Sequence, residues 1–185
     1  MRIIAGTRGS RRIEAPVGKD TRPTLDKVRE AVFSSLGGFF EGGAVLDLYA
    51  GSGAIGLEAL SRGMDQAVFV EPSRKARDVI LRNIEALQFQ EESRILPMKA
   101  AQAVRQLTEE GRKFDLVYLD PPYAKQENEE ILTDLVNGNL LNPGAVCVVE
   151  SLKEEQFPEV IGSLVRYKEA VYGISRISYY RLQGE

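Results

Sequence analysis

The sequence predicts an α/β fold: a mostly parallel, doubly wound sheet with helices on both faces, closed by an antiparallel hairpin. Three observations carry that prediction. Between residues 44 and 150, short apolar runs alternate with stretches of helical periodicity. Residues 45–60 read VLDLYAGSGAIGLEAL, an apolar run, a glycine-rich turn and a helix start in that order. The closing segments 163–171 and 174–182 meet at Tyr172-Gly173 and place one antiparallel strand in a C-terminal hairpin.

In chain order, residues 1–5 and 11–14 read as two short strands around the loop Gly6-Thr7-Arg8-Gly9. Pro16 and Gly18 end any regular structure there. Leu25, Val28, Val32 and Leu36 then fall at helical spacing, with Thr24 as N-cap and Gly37-Gly38 as the stop. Glu41-Gly42-Gly43 turns the chain into the first sheet strand at Ala44. Further strands are expected over 66–70, 94–98, 114–119 and 145–150. The last is nearly all apolar, as burial on both faces requires. Helices are expected over 73–87 with Ser73 as N-cap, over 100–109 and 127–136, and as a weak helix over 154–161.

A chain of 185 residues with 43% hydrophobic and 28% charged side chains is of the size and composition of one soluble domain with a small appendage. The expected division is a basic N-terminal extension, 1–43, and a ligand-binding body, 44–185. The single cysteine, Cys147, excludes an internal disulfide and reads as a buried thiol within an apolar strand. Histidine is absent, which excludes Ser-His-Asp catalysis and imidazole metal ligation; no metal site is expected. No apolar run approaches the ~20 residues of a membrane span, and a cytoplasmic monomer is expected.

Charge is unevenly distributed. Residues 1–29 carry eight basic against three acidic side chains, a net +5, while the rest carries sixteen against twenty-four, a net −8. A basic arm on an acidic body reads either as a solvated face or as a phosphate-binding extension.

The chemistry concentrates at strand ends, where open α/β sheets bind ligands. Asp47 ends the first strand. Gly51, Ser52, Gly53 and Gly56 form the turn into the next helix, where a Cβ at the glycines would obstruct a close ligand. Glu71, followed by Pro72, ends the second strand, 20 residues after Gly51, where an acid can accept both hydroxyls of a ribose. That spacing also suits a nicotinamide dinucleotide. Yet Asp47 lies four residues upstream of the first glycine, a poor place for an acid facing a pyrophosphate and a good one for a cationic amino-acid end. S-adenosylmethionine carries an ammonium and a sulfonium and no phosphate.

Asp120-Pro121-Pro122-Tyr123 follows the fourth strand. Two prolines fix the backbone and restrict the residues before them. Asp120 and the Pro121 carbonyl can each accept one hydrogen of a planar exocyclic amine, and Tyr123 can stack on the base that bears it. Such an amine is a poor nucleophile because its lone pair is delocalised. Two acceptors on its hydrogens favour a lone pair directed at a methyl donor.

With the glycine turn and this tetrapeptide together, the chain resembles the Rossmann-like class I S-adenosylmethionine-dependent methyltransferases that modify amines. Arg2-Ile3-Ile4-Ala5-Gly6, Thr21-Arg22-Pro23-Thr24, Val28-Arg29-Glu30-Ala31-Val32-Phe33 and the closing Tyr172-Gly173 hairpin are similar to the bacterial family that methylates guanine N2 in 16S ribosomal RNA. The resemblance covers essentially the whole chain. It implies S-adenosylmethionine as cofactor, held by Asp47, Tyr49, Gly51, Ser52, Gly53, Gly56, Glu71 and Pro72. It implies Asp120, Pro121, Pro122 and Tyr123 as the catalytic turn. It also implies Arg8, Arg11, Arg12 and Arg22 facing ribosomal RNA, free or within a small-subunit particle. The nucleotide that the resemblance implies as target is guanine 966. Where related enzymes carry Asp or Asn after the third strand, this chain reads Met98-Lys99-Ala100-Ala101, so no side chain is assigned to the adenine.

The rival enzyme is a DNA or RNA adenine-N6 methyltransferase, which shares the tetrapeptide but ordinarily carries an added domain to read sequence. Pyrimidine-C5 methylation needs a cysteine nucleophile near the site, and Cys147 lies inside a strand. The non-enzyme alternative is an RNA-binding assembly factor with a relic cofactor site.

Overall fold

The computed structural model describes residues 1–15, 23–122 and 125–184. The elements in order are α1 (Pro23–Ser35), β1 (Ala44–Asp47), α2 (Ala54–Ser61), β2 (Gln66–Val70), α3 (Arg74–Leu87), β3 (Ser93–Leu96), α4 (Ala100–Glu109), β4 (Phe114–Leu119), α5 (Lys125–Asn137), β5 (Leu141–Leu152), β6 (Val160–Ile161), β7 (Leu164–Tyr172) and β8 (Ser175–Leu182). The chain divides into two compact units, Met1–Met98 and Lys99–Glu185.

In the first unit three parallel strands lie in the order β3-β2-β1, with Val45 opposite Ala67 and Val68 opposite Arg94. Val45, Leu46, Val68, Phe69, Leu57 and Ile80 are at most 1% exposed and form its core. Helix α3 shows why an amphipathic stretch docks: Val79, Ile80, Ile84 and Leu87 make one buried face, and the Ser73 hydroxyl caps its start by accepting from the Ala76 N–H. Helix α1 begins at Pro23, so Thr24 lies inside the helix and is not its cap. Proline suits the first helical position because its missing N–H has no intrahelical partner there.

The two N-terminal strands expected from the sequence reduce to one bridge, Arg2 with Arg12. The reason is docking. Gly6 (φ +90°) presses against the end of α2, where a Cβ would fall 1.8 Å from the Ser61 carbonyl oxygen. The Thr7 N–H donates to that carbonyl, and the Arg8 N–H to the Ser61 hydroxyl. Around the bridge the Ile3 N–H donates to the Arg11 carbonyl and the Ile13 N–H to the Met1 carbonyl, but Ile4 and Ala5 give their N–H groups to Glu58 on α2, so the ladder goes no further.

In the second unit the order is β4-β5-β8-β7-β6, with β4 and β5 parallel and the remaining pairs antiparallel. Strand β5 begins at Leu141, before the expected residue 145, because the register shift opposite Phe114 and Leu116 absorbs Pro143 and Gly144 (φ +77°). Cys147, on β5, is fully buried, and burial pushes its thiol pKa up to about 12. The helix expected over 154–161 is absent; a turn and the short strand β6 stand there. Pro158 interrupts a helix. The carbonyls a helix would use instead accept from side chains: Phe157 from the Arg166 guanidinium at 2.8 Å and Pro158 from the Tyr180 hydroxyl at 2.6 Å. Three antiparallel strands therefore come after β5, one more than the hairpin expected.

Candidate active site

The first unit carries a cradle at the C-terminal ends of β1 and β2. Gly51 (φ +57°) and Gly53 (φ +83°) hold left-handed backbone that a side chain would strain. A Cβ on Gly51 would meet nothing within 4 Å, so the turn is open at that point. Gly56 serves a different end. A Cβ there would strike the Phe69 ring at 2.4 Å, so this glycine lets α2 lie close against β2.

Two acids frame the turn. Glu71 accepts the Gly51 N–H at 3.0 Å with one oxygen and the Ser73 N–H at 2.9 Å with the other. Each carboxylate oxygen accepts more than one hydrogen bond, so Glu71 keeps capacity for a diol. Asp47 is 2% exposed and accepts the Gly56 N–H at 3.2 Å. Burial raises its pKa to about 7; the Glu71 charge adds to the shift and the Gly56 hydrogen bond opposes it. A buried carboxylate of this kind binds a cation well, because the cation removes the cost of ionising it. Tyr49 is half-buried, Ser52 is buried, and Pro72 is exposed beside Glu71.

Sequence reasoning missed the residue that fixes this turn. Asn83, 2% exposed on α3, donates to the Ser52 carbonyl at 2.9 Å. It also accepts from the Glu14 N–H and donates to the Glu14 carbonyl. It joins the N-terminal extension to the glycine turn. The available signal was an Asn at a position where the helical period calls for an apolar residue.

Glu58 was missed as well. It is fully buried on α2 and accepts from Ile4 N–H, Ala5 N–H, Arg29 Nε and Arg62 Nε at 2.9, 3.1, 3.1 and 2.7 Å.

Of the arginines, Arg12 is exposed, and Arg22 lies outside the described residues. Arg8 and Arg11 turn back to the C-terminus of α3, which has no basic residue in its own last turn. Arg8 Nε donates to the Leu87 carbonyl at 2.7 Å and lies 4.3 Å over the Phe89 ring; Arg11 donates to the Ala86 carbonyl at 2.7 Å. They neutralise the negative end of that helix.

In the second unit, Asp120 is exposed directly after β4, and Pro121 and Pro122 come next; Tyr123 lies outside the described residues. A cleft of about 300 Å³ opens there, lined by Asp120, Pro121, Pro122, Asn128, Glu150 and Glu155 among others, with no lysine or arginine in its wall among the described residues. The Tyr118 hydroxyl donates to Glu150 at 2.7 Å and holds that carboxylate at the end of β5. Three carboxylates, Asp120, Glu150 and Glu155, outweigh the wall's neutral donors, Asn128, Ser151 and Ser175, so the cleft suits a ligand face that carries hydrogens.

A protein-family model described as "Conserved hypothetical protein 95" matches residues 1–181. YlbH of Bacillus subtilis is 35% identical over 184 residues, the whole of both chains. Ribosomal RNA small subunit methyltransferase D of Escherichia coli is 32% identical over 185 residues, all of this chain and 90% of that one. The solved structure of yhhF from Escherichia coli aligns with a TM-score of 0.87 at 29% identity, covering all of this chain and 99% of that one. The chain thus belongs to the conserved family 95, a family of ribosomal RNA methyltransferases with a Rossmann-like fold.

Proposed function

We propose that the chain methylates the exocyclic N2 amine of a guanine in small-subunit ribosomal RNA, with S-adenosylmethionine as methyl donor. The observation that carries the guanine reading is the acceptor-rich wall of the cleft beside Asp120. Guanine presents three adjacent hydrogens on one edge, two on N2 and one on N1. Adenine presents two on N6 beside a bare N1, which would meet the same wall as acceptor against acceptor.

The cradle in the first unit fits the cofactor: Asp47 for the ammonium, Glu71 for the ribose hydroxyls and the open turn at Gly51 for close approach. Tyr49, Ser52, Gly53 and Pro72 complete the proposed set. When bound, S-adenosylmethionine supplies a methyl group on a positively charged sulfur. The chain's own part is placement, which carries much of the rate of a displacement reaction. Asp120 and the Pro121 carbonyl take the two N2 hydrogens, leaving the lone pair of the nitrogen unengaged by the protein. Tyr123 is proposed to stack on the base. As positive charge develops on N2, the Asp120 carboxylate neutralises it and then receives the departing proton or relays it to water. No histidine is required.

The decisive test is mass spectrometry of nucleosides from small-subunit ribosomal RNA of cells with and without the protein. The expected result is the loss of one N2-methylguanosine, mapped to the position equivalent to guanine 966. Loss of an N6-methyladenosine instead, or no change, overturns the reading.

Asp47 gives the cofactor site a pH dependence. The ammonium binds to the ionised form, so affinity should be highest above pH 7. It should fall as the pH drops through about 7, approaching tenfold per pH unit. Stability of the free protein runs the other way. The folded state keeps a proton that the unfolded chain loses above the ordinary value of 3.8. Asp47 therefore favours the fold fully below that value, and the advantage is lost as the pH rises towards 7. Asp47→Asn should raise the melting temperature at pH 8 while weakening cofactor binding. Calorimetry with a flat affinity profile between pH 5.5 and 8.5 would remove Asp47 from the site.

Residues 1–43 are proposed as the RNA-facing extension, with Arg8, Arg11, Arg12 and Arg22 on phosphates. The cap on α3 separates two effects. Arg12→Ala should reduce the salt slope of RNA binding by about one with an unchanged melting temperature. Arg8→Ala should reduce the slope and also cost about 1–2 kcal/mol of stability, through the helix end and the Phe89 contact. A salt titration in which the triple Arg8, Arg11 and Arg12 alanine variant keeps the parent slope would make these arginines structural only.

A further inference from the structure

The inner face of α5 runs through residues 128, 131, 132 and 135. Ile131, Leu132 and Leu135 are at most 2% exposed and form an apolar stripe. Asn128 continues that stripe at helical spacing and is 1% exposed, yet it is polar. Its Oδ1 is buried and accepts no hydrogen bond. A leucine at this position would complete the stripe without the penalty of a sequestered acceptor. Asn128 also lines the cleft with Asp120, Pro121 and Glu150. An unsatisfied acceptor in the wall of a cleft points to a ligand that brings the missing donor.

We infer that Asn128 is a specificity residue that accepts the N1–H of the target guanine. The inference rests on the guanine-N2 reading and adds the ring edge to it. N1 is bonded to the carbon that bears the amine, so a base whose N2 hydrogens meet Asp120 and Pro121 turns its N1–H to the same wall. A site that holds a buried acceptor for a substrate N–H discriminates against an analogue lacking that hydrogen, because the acceptor is then left unmade.

The probe is 2-aminopurine, which keeps the N2 amine and has no hydrogen on N1. Small-subunit particles are reconstituted with RNA carrying either guanine or 2-aminopurine at the methylated position, and kcat/KM is measured for both. The parent enzyme should prefer guanine by about ten- to a hundredfold. In Asn128→Leu the preference should collapse, the guanine value falling while the 2-aminopurine value holds or rises as the acceptor facing its bare N1 is removed; a general loss of structure would lower both. Asn128→Asp retains an acceptor and should retain the preference. If Asn128→Leu fails to fold, as judged by its melting curve, Asn128→Ala takes its place with the same expectation. A preference that survives in the Leu or Ala variant, or is lost in the Asp variant, overturns the role of Asn128 while leaving the guanine reading intact. A product other than N2-methylguanosine overturns the guanine reading itself and the inference with it.

Discussion

Asp120→Asn is expected to lower the single-turnover methylation rate by about two to four decades, the range for a positioned acid–base or electrostatic group. The substitution preserves the shape of the side chain and the exposed position after β4. What changes is chemistry. In the proposed mechanism an amide can present an N–H where the amine needs an acceptor, and it carries no charge to offset the cation forming on the amine nitrogen. Asp47, Glu71 and the glycine turn are untouched, so cofactor affinity measured by calorimetry should stay at the parent value. The pairing of normal cofactor binding with lost chemistry distinguishes this result from misfolding. A variant that methylates within about threefold of the parent rate would remove Asp120 from the reaction, since that is far below the loss expected of such a group.

Glu58→Ala is expected to cost about 3–5 kcal/mol of folding stability, because it strands buried charge. Arg29 and Arg62 are 4% and 5% exposed, and both direct Nε at this one carboxylate. Arg29 has other partners, the Arg2 carbonyl and Asp26, and Arg62 has the Gly38 carbonyl and the face of Phe33. Arg29 would keep the partly exposed Asp26 carboxylate, but Arg62 would be left with a carbonyl and a ring face and no carboxylate partner among the described residues. The loss also frees the N–H groups of Ile4 and Ala5, so the N-terminal extension should loosen first. Against a total of about 5–15 kcal/mol for a typical domain, this is a large fraction. Urea denaturation should show the midpoint moving down, and hydrogen exchange should show Ile4 and Ala5 losing protection. Glu58→Gln should recover little, since its Nε2–H faces an arginine donor. A Glu58→Ala midpoint within about 1 kcal/mol of the parent, the worth of an ordinary exposed ion pair, would mean the network is incidental.

The sheet was legible because its strands are short apolar runs bounded by glycine, proline or acids, and burial on both faces leaves no other reading. Residues 66–70, 100–109 and 114–119 have the bounds expected. The ends of the chain were harder. Residues 154–161 have an acidic, weakly periodic composition, and their conformation is decided by Arg166 and Tyr180, which reach them from other strands. At the candidate site, Asp47, Glu71 and Asp120 were legible as acids at strand ends. Asn83, Asn128 and Glu58 were not. Each is a polar residue on a buried helix face, and its purpose lies in partners distant in sequence. Arg8 and Arg11 could be counted as charge, but nothing local shows that they close the end of a helix about 75 residues away.

The buried thiol of Cys147 has a practical consequence for anyone who wishes to watch this protein in action. With its pKa pushed up to about 12 and no exposed surface, Cys147 stays a protonated, inaccessible thiol at neutral pH. Maleimide dyes, spin labels and mixed-disulfide reagents therefore have no native target to mark. The natural sequence serves as its own silent background. A cysteine placed at Arg12 or at the 70% exposed Ile174 becomes the single reactive handle on the folded chain, with no need to remove the native one. Fluorescence or electron spin resonance can then report on the extension or on the β7–β8 tip, one site at a time, on a protein whose core is unaltered.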